Sequence, residues 1–205
     1  MASEKLAAAR QIAASLTSAE QQDLVGALSA AGYPWYAVTS GGVIQQGDIL
    51  EDCPVFLPPA DMAGTPPASA TLRWETRDLI VMSQTCDMAR GQEKIDEVIL
   101  CAVWNRSEQT GHLATERGME DARRGNLPGF HVLAASTIDG FPREVRLVDF
   151  RRVHSLPLSF LRKQAETCHD RLRLLPPYRE HLSQAFARFF MRVGLPVDVP
   201  PFGKR

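Results

Sequence analysis

The stretch Asp78-Leu-Ile-Val-Met-Ser83 is the strongest strand signal in the chain. Its interior is a continuous apolar run bounded by polar residues, a pattern typical of a strand that is buried on both faces. The second such stretch, Glu97-Val-Ile-Leu-Cys-Ala-Val-Trp104, is apolar nearly throughout. We expect these two strands to pair at the centre of a sheet.

Shorter strand patterns lie on both sides of this centre. Trp35–Val38 and Val43–Gln45 flank Ser40-Gly-Gly42, which predicts a hairpin-like turn. Further strands are predicted at Gln46–Leu50, Pro54–Leu57, Leu72–Glu75, His131–Ala134 and Glu144–Phe150. Short strands with turns between them, followed by a terminal helix, predict a mainly β fold with α additions, a small barrel carrying helices at its ends.

The chain is expected to have three parts. Residues 1–33 have helical apolar spacing and are predicted to form an N-terminal helical extension. Residues 34–175 are assigned to the barrel domain, with a long proline-rich loop at 58–77. Residues 176–205 are predicted to be a C-terminal helix and tail, because apolar side chains fall on one helix face at Leu182, Phe186, Phe189, Phe190 and Val193.

The composition excludes several classes of protein. The 205 residues are 44% hydrophobic and 23% charged, with a net charge of −1, which excludes disorder for most of the chain. The longest apolar runs, such as Val98–Trp104, are far shorter than the ~20 residues that span a bilayer. The first residues lack the basic and apolar segments of a secretory signal. We therefore expect a cytoplasmic protein without a membrane anchor.

The charge is distributed unevenly. Residues 1–140 contain 10 Lys or Arg and 18 Asp or Glu, whereas residues 141–205 contain 13 Lys or Arg and 6 Asp or Glu. A basic C-terminal third is a candidate surface for phosphate or nucleic acid. The alternative is that it neutralises the acidic remainder, within one chain or across a homodimer.

The four cysteines, Cys53, Cys86, Cys101 and Cys168, do not have the spacing of a zinc site. No metal or other cofactor is therefore expected. Thiols in a cytoplasmic protein are reduced by default, which favours structural cysteines.

The turn Ser83-Gln84-Thr85-Cys86-Asp87 follows the first central strand directly. Functional groups are often displayed at such positions, so Cys86 is a candidate nucleophile with Asp87 as a local charge, and Ser83 and Gln84 are candidate substrate contacts. The alternative is a tight turn in which Asp87 accepts hydrogen bonds from the following amides.

The order of three motifs resembles the MazF/PemK family of ribonuclease toxins. These motifs are Gly47-Asp48-Ile49, the strand end Ile80-Val81-Met82-Ser83, and Val145–Leu156, and the similarity covers roughly residues 46–190. The resemblance implies an SH3-like barrel and a metal-independent endoribonuclease. It also implies RNA as substrate, an antitoxin or other protein partner, and a role in a toxin–antitoxin or bacterial defence context.

The family's catalytic arginine has two counterparts here, Arg73 and Arg77. The resemblance implies that such a guanidinium stabilises the charged phosphorane while the RNA 2′-hydroxyl attacks. The position of the family's threonine falls at Trp104–Arg106, which does not match it. From the basic third of the chain, the candidate phosphate contacts are Arg146, Arg151 and Arg152.

Three functions follow from the sequence. The leading prediction is nucleic-acid engagement in a toxin or defence context, with endoribonuclease activity through Arg73 or Arg77. The first alternative is a non-catalytic protein-interaction module on the same barrel. The second alternative is a hydrolase that depends on Cys86.

Overall fold

A computed structural model describes residue 17 and residues 32–57, 73–168 and 170–191. The chain divides into two compact units, Met1–Pro34 and Trp35–Arg205, and all elements named below belong to the second. The predicted N-terminal helices, residues 58–72 of the predicted loop and the tail beyond 191 lie outside the described residues.

The described part of the chain contains both strands and helices. The strands are β1 (Tyr36–Ser40), β2 (Ile49–Leu57), β3 (Arg73–Val81), β4 (Glu97–Asn105), β5 (Phe130–Leu133), β6 (Ser136–Ile138), β7 (Phe141–Arg143), β8 (Arg146–Pro157) and β9 (Asp170–Leu174). The helices are α1 (Glu116–Arg123), α2 (Leu158–Thr167) and α3 (Tyr178–Phe190). None of the helices that the structure describes is long and apolar enough to cross a membrane.

Five of the strands form one antiparallel sheet in the order β2-β3-β4-β8-β5. The predicted central strands, β3 and β4, are neighbours in it. The remaining strands form two-stranded sheets, β1 with β9 and β6 with β7. Because β2 and β5 are unpaired edges of the five-stranded order, the described strands do not form a closed barrel. The fold is mainly β with helices, and the predicted SH3-like barrel is not confirmed.

The central strands are covered on both faces. On one face, Leu79 of β3 and Leu100 of β4 pack with Leu161 of α2. On the other face, Ile80 and its neighbours pack with Leu182 of α3. This arrangement explains the apolar runs in the sequence, because Leu79–Val81 and Leu100–Val103 are buried on both faces of the sheet. The predicted C-terminal helix is confirmed as α3.

The predicted hairpin around Ser40-Gly-Gly42 is wrong. β1 pairs with β9, and residues 43–45 form no strand. Arg171 of β9 donates to the carbonyl oxygens of Gly41 at 2.9 Å and Val43 at 2.6 Å. These side-chain hydrogen bonds satisfy the segment's carbonyl groups in place of a strand partner.

Asp48 holds this segment against β9. Its carboxylate is wholly buried and accepts hydrogen bonds from Arg171 Nε at 3.0 Å and Arg173 Nη2 at 2.9 Å. It also accepts the backbone N–H of Gln45 at 3.1 Å. The backbone of this segment also forms an antiparallel β-bridge with β9, between Asp48 and Arg173. Asp48 is therefore the charged centre of this junction.

His131 of β5 makes the stability of this unit depend on pH. Its ring stacks against Phe150 at 6.3 Å, and burial, with a smaller effect from His181, lowers the pKa of His131 from 6.5 to about 4. The unfolded chain thus binds a proton between these pH values that the folded chain excludes. The contribution of His131 to the free energy of unfolding is fully present above pH 6.5 and is lost as the pH falls. The loss reaches about 3 kcal/mol near pH 4.

Urea denaturation between pH 7 and pH 4 measures this effect. We expect His131→Gln to lose distinctly less stability over that range than the wild type, because it has no imidazole to protonate. His112→Gln is the matched control, since the His112 side chain is half exposed. Equal pH slopes for the wild type and His131→Gln would contradict this role of His131.

Candidate functional site

The central strands separate at one end and open a cavity. β3 and β4 are paired from Val81–Leu100 to Asp78–Val103. Beyond that point β3 continues only with β2, and β4 continues only with β8. Thr76 and Arg77 on one side and Trp104 and Asn105 on the other line the resulting space of about 380 Å³.

Trp104 divides this cavity from a second one of about 460 Å³. The guanidinium carbon of Arg77 lies 4.8 Å from the centre of the Trp104 ring, and that of Arg152 lies 5.3 Å from it. In the second cavity, the Arg151 guanidinium lies 4.3 Å from the ring centre of Phe130. We call these two adjoining cavities the Trp104 groove. Its aromatic rings and arginines alternate.

An irregularity in β8 brings two adjacent arginines into the groove. Cys101 pairs with Val153 and the next residue, Ala102, pairs with Asp149, so residues 150–152 have no partner on β4. In a regular strand, neighbouring side chains point to opposite faces. The unpaired segment releases this constraint, and both Arg151 and Arg152 line the second cavity.

The groove arginines are paired with acidic side chains, but unequally. Arg77 donates to Glu75. Asp149 is paired with two guanidiniums. It accepts a hydrogen bond from Arg151 Nε at 2.8 Å and forms a longer ion pair with Arg152 Nε at 3.8 Å. The Arg151 and Arg152 side chains are 57% and 53% exposed. Asp149 is therefore the one carboxylate paired with both guanidiniums, while Glu108, which also lines this cavity, accepts the N–H of Asn105.

The wall of the first cavity contains carboxylates. The register in which β2 pairs with β3 shifts between Leu50 and Cys53. Within this irregular segment, Asp52 adopts φ +51°, the one positive φ of a non-glycine residue in the described chain. The Asp52 N–H donates to Asp78 Oδ1 at 3.1 Å. Burial raises the pKa of Asp78, against the lowering effect of that hydrogen bond. Strain and a perturbed pKa in one cavity are typical of functional sites.

Glu51 fixes the same wall through two arginines. It accepts from Arg143 Nε and Nη2 at 2.6 Å each and from Arg146 Nη1 at 3.2 Å. The Arg143 hydrogen bonds, against an opposing effect of burial, lower the pKa of Glu51. The Arg146 side chain is wholly buried. Arg146, a predicted phosphate contact, therefore supports Glu51 behind the cavity wall.

His154 lies in the electrostatic field of the groove. Burial lowers its pKa, as do the nearby charges of Arg77 and Arg152. Its Nε2 atom is buried and has no hydrogen-bond partner among the described residues. The imidazole is therefore neutral near pH 7 and is shielded from solvent on this side.

The structure does not bring all the predicted site residues together. Arg77, Arg151 and Arg152 line the groove. Arg73 is exposed at the start of β3, opposite Leu57, and lines neither cavity. The turn Ser83–Asp87 follows the other end of β3, about 20 Å from Arg77 at the ordinary rise of a strand.

The Ser83–Asp87 turn has the features of a structural turn. Ser83 Oγ accepts the N–H of Ile99 at 2.9 Å, and Thr85 Oγ1 accepts the N–H of Gln46 at 3.2 Å. Cys86 is exposed, and its Sγ lies 3.6 Å from Asp87 Oδ1. Asp87 is bound by Lys94 at 3.2 Å. No described histidine is hydrogen-bonded to Cys86, so the base that a cysteine nucleophile needs is not in place there.

Gln84 and Cys86 line a different concavity, together with Arg179 and Gln184 of α3. Elsewhere, burial raises the pKa of Cys53 and of Cys101 to about 12, so neither is a nucleophile at neutral pH. In the ranges that the structure describes, no group of three or more His, Cys, Asp or Glu side chains is arranged to hold a metal ion.

Several groove residues were not predicted from the sequence. Trp104 was noted only as a mismatch to the family's threonine, and Phe130, Glu51 and Asp78 were not among the predicted site residues. Trp104 ends the second central strand, a position that favours display at a sheet edge. The other contacts depend on the β2 and β8 irregularities, which have no marker in the local sequence.

Comparison with known proteins adds no assignment to this geometry. No protein-family model, curated protein or solved structure matches the chain.

Proposed function

We propose that the Trp104 groove binds a single-stranded nucleic acid. The observation that carries the proposal is the position of Trp104 between two cavities and against the guanidiniums of Arg77 and Arg152. Grooves that bind single strands combine aromatic rings, on which bases stack, with cations that follow the phosphates. The volumes of both cavities lie within the range of about 300–1,000 Å³ typical of ligand sites.

Each part of the groove has a role in this proposal. A base stacks on the Trp104 indole, displacing one guanidinium from the ring, and the next base occupies the second cavity beside Phe130. The exposed Arg151 and Arg152 each bind a phosphate of the strand, through guanidinium N–H donors that are not paired with Asp149. The carboxylates of the first cavity accept hydrogen bonds from the amino groups of a base.

RNA is the proposed strand, and a toxin or defence role the proposed context, because of the resemblance to the MazF/PemK family. The SH3-like barrel and a cytoplasmic location remain part of the same proposal. The contact that supports a barrel is the Asp48–Arg173 bridge, which links the start of β2 to β9.

The salt dependence of binding tests the proposal. Arg77, Arg151 and Arg152 give about two to three phosphate contacts, so log Kd should rise with log salt with a slope of about 1.4 to 2.1. Affinity for a labelled single-stranded RNA then falls about 7- to 18-fold between 50 and 200 mM NaCl, measured by fluorescence anisotropy. Arg151→Gln/Arg152→Gln should lower the slope by about 1.4.

Arg90→Gln is the matched control, because Arg90 is exposed and lines neither groove cavity. A slope near zero in the wild type, or an unchanged slope in the double variant, would contradict binding through these arginines. Duplex RNA and single-stranded DNA of the same sequence complete the panel.

The family resemblance also predicts that the groove cleaves RNA. The RNA strands used in the binding assay test this prediction as well. Arg77 is held by Glu75, and its charge acts on the His154 imidazole. Because the Nε2 atom of His154 is buried, the geometry supports binding ahead of cleavage. Incubation of RNA in chelator with the wild type and Arg77→Ala shows whether the groove also cuts; cleavage that is lost in the variant would establish endoribonuclease activity.

One observation favours the protein-interaction module as a second candidate. Phe56 and Trp74 are directly paired across β2 and β3 and are 60% and 64% exposed. An aromatic pair at a sheet edge is typical of a protein contact. Light scattering of the wild type and Phe56→Ser/Trp74→Ser tests its simplest form, a homodimer, which the double variant should dissociate; a monomer in both cases excludes it.

A further inference from the structure

Another cavity, of about 230 Å³, lies between the end of α1 and the side of α3. Its charged and titratable lining residues share one property, since all of them are basic: Arg123, Arg124, His131, His181 and Arg188. The groove cavities contain carboxylates, but no carboxylate lines this cavity.

Neutralisation of these residues by their neighbours is incomplete. Glu120 is the shared partner of Arg123 and Arg124, at 2.6 Å from the Nε atom of each. Arg188 has an amide partner, Gln184, at 3.4 Å and no carboxylate among the described residues. Three guanidiniums therefore face one carboxylate, which leaves an excess of about two positive charges before either histidine is counted.

The two histidines add hydrogen-bonding capacity without opposing charge. His181 lies on the exposed side of α3, and His131 faces it from β5. Neither imidazole forms a side-chain hydrogen bond within the described residues, so their ring nitrogens can serve a ligand. A small cavity with forked guanidiniums and imidazoles matches a tetrahedral oxyanion with several acceptor atoms.

The cavity adjoins the Trp104 groove at Phe130. Phe130 lines both this cavity and the second groove cavity, where Arg151 lies over its ring. A strand that passes Trp104 and Phe130 therefore leads towards Arg188 and α1. A phosphodiester within a strand carries one negative charge, whereas a terminal phosphomonoester carries about 1.5 to 2 at pH 7. The larger charge matches the excess at this cavity.

We propose that the cavity between α1 and α3 binds a phosphate monoester, the phosphorylated end of the strand that occupies the Trp104 groove. The identification of the phosphate as a strand end rests on the proposed function. Phosphate binding itself does not, because it depends only on the basic residues of the cavity.

Labelled single-stranded RNAs of one sequence, with hydroxyl ends, a 5′-phosphate or a 3′-phosphate, test this inference by anisotropy at constant salt and pH. We expect one phosphorylated end to bind about tenfold or more tightly than the hydroxyl end. Arg188→Gln should reduce that ratio to within about twofold, since it removes the one guanidinium without a carboxylate partner. Arg117→Gln, an exposed change on α1 outside the cavity, should retain the preference.

Titration with inorganic phosphate, followed through the imidazole NMR signals of His131 and His181, separates this inference from the proposed function. Strands that bind with no preference for a phosphorylated end, and phosphate that shifts neither signal, would overturn the inference and leave strand binding intact. If no strand binds but phosphate shifts the signals in the wild type and not in Arg188→Gln, the phosphate site stands and its ligand is free phosphate. If neither ligand binds, both proposals fail.

Discussion

Asp48→Ala is expected to lower the free energy of unfolding by about 3–5 kcal/mol, the usual effect of removing one partner from a buried ion pair. Asp48 is wholly buried, and so is nearly all of the Arg171 side chain. Without the carboxylate, Arg171 and Arg173 would share a buried site with no compensating charge. The backbone N–H of Gln45 would lose its acceptor as well.

Urea denaturation at pH 7 measures this loss. Asp139→Ala is the matched control, since Asp139 is exposed in the turn between β6 and β7 and should change stability by no more than about 0.5 kcal/mol. Asp48→Asn keeps the shape and one acceptor oxygen, so we expect an intermediate loss. If Asp48→Ala were as stable as Asp139→Ala, the ion pairs with β9 would not hold the segment before β2.

Trp104→Ala is expected to weaken the binding of single-stranded RNA about 5- to 150-fold. This range corresponds to the 1–3 kcal/mol that stacking of one base on an aromatic ring contributes. The substitution also removes the surface that Arg77 and Arg152 contact, so both guanidiniums lose their position. Anisotropy titration at 50 mM NaCl gives the two dissociation constants.

Two further variants separate stacking from damage to the fold. Trp104 packs partly against the buried cluster on the α2 face, so the thermal transition of Trp104→Ala must be checked. Trp104→Phe keeps an aromatic surface and should retain most of the affinity. Trp74→Ala, an exposed tryptophan outside the groove, should retain all of it. Equal losses in Trp104→Ala and Trp74→Ala would exclude a specific role for Trp104.

The centre of the fold could be predicted because burial leaves a local signal. The apolar runs of β3 and β4 and the amphipathic pattern of α3 are properties of the segments themselves. The pairing of β1 was mispredicted because the Gly41–Val43 segment is held by Arg171, more than 120 residues later in the chain. Whether a barrel closes likewise depends on the pairing of strands that are far apart in the sequence, and the local pattern of residues carries no signal for that pairing.

The candidate site was predicted only in part, because residue charge can be seen in the sequence but contacts between distant segments cannot. Arg77, Arg151 and Arg152 were selected for their charge, and they lie in the groove. The alternation of side chains along a strand argues against adjacent arginines on one face, and only the irregular segment of β8 brings both into one cavity. Arg146 has the same charge but is wholly buried beside Glu51, because the wall that covers it comes from a distant strand.

The most direct test of the central claim is photo-crosslinking of a single-stranded RNA containing 4-thiouridine, followed by peptide mapping. The account predicts crosslinks in the peptides that contain Trp104 and Phe130, the two aromatic residues of the groove. These crosslinks should be suppressed by excess unlabelled single strand and should be much weaker in Trp104→Ala. Crosslinks confined to the Ser83–Asp87 turn or to the Phe56–Trp74 pair, with none at the groove, would contradict the claim that the Trp104 groove binds the strand.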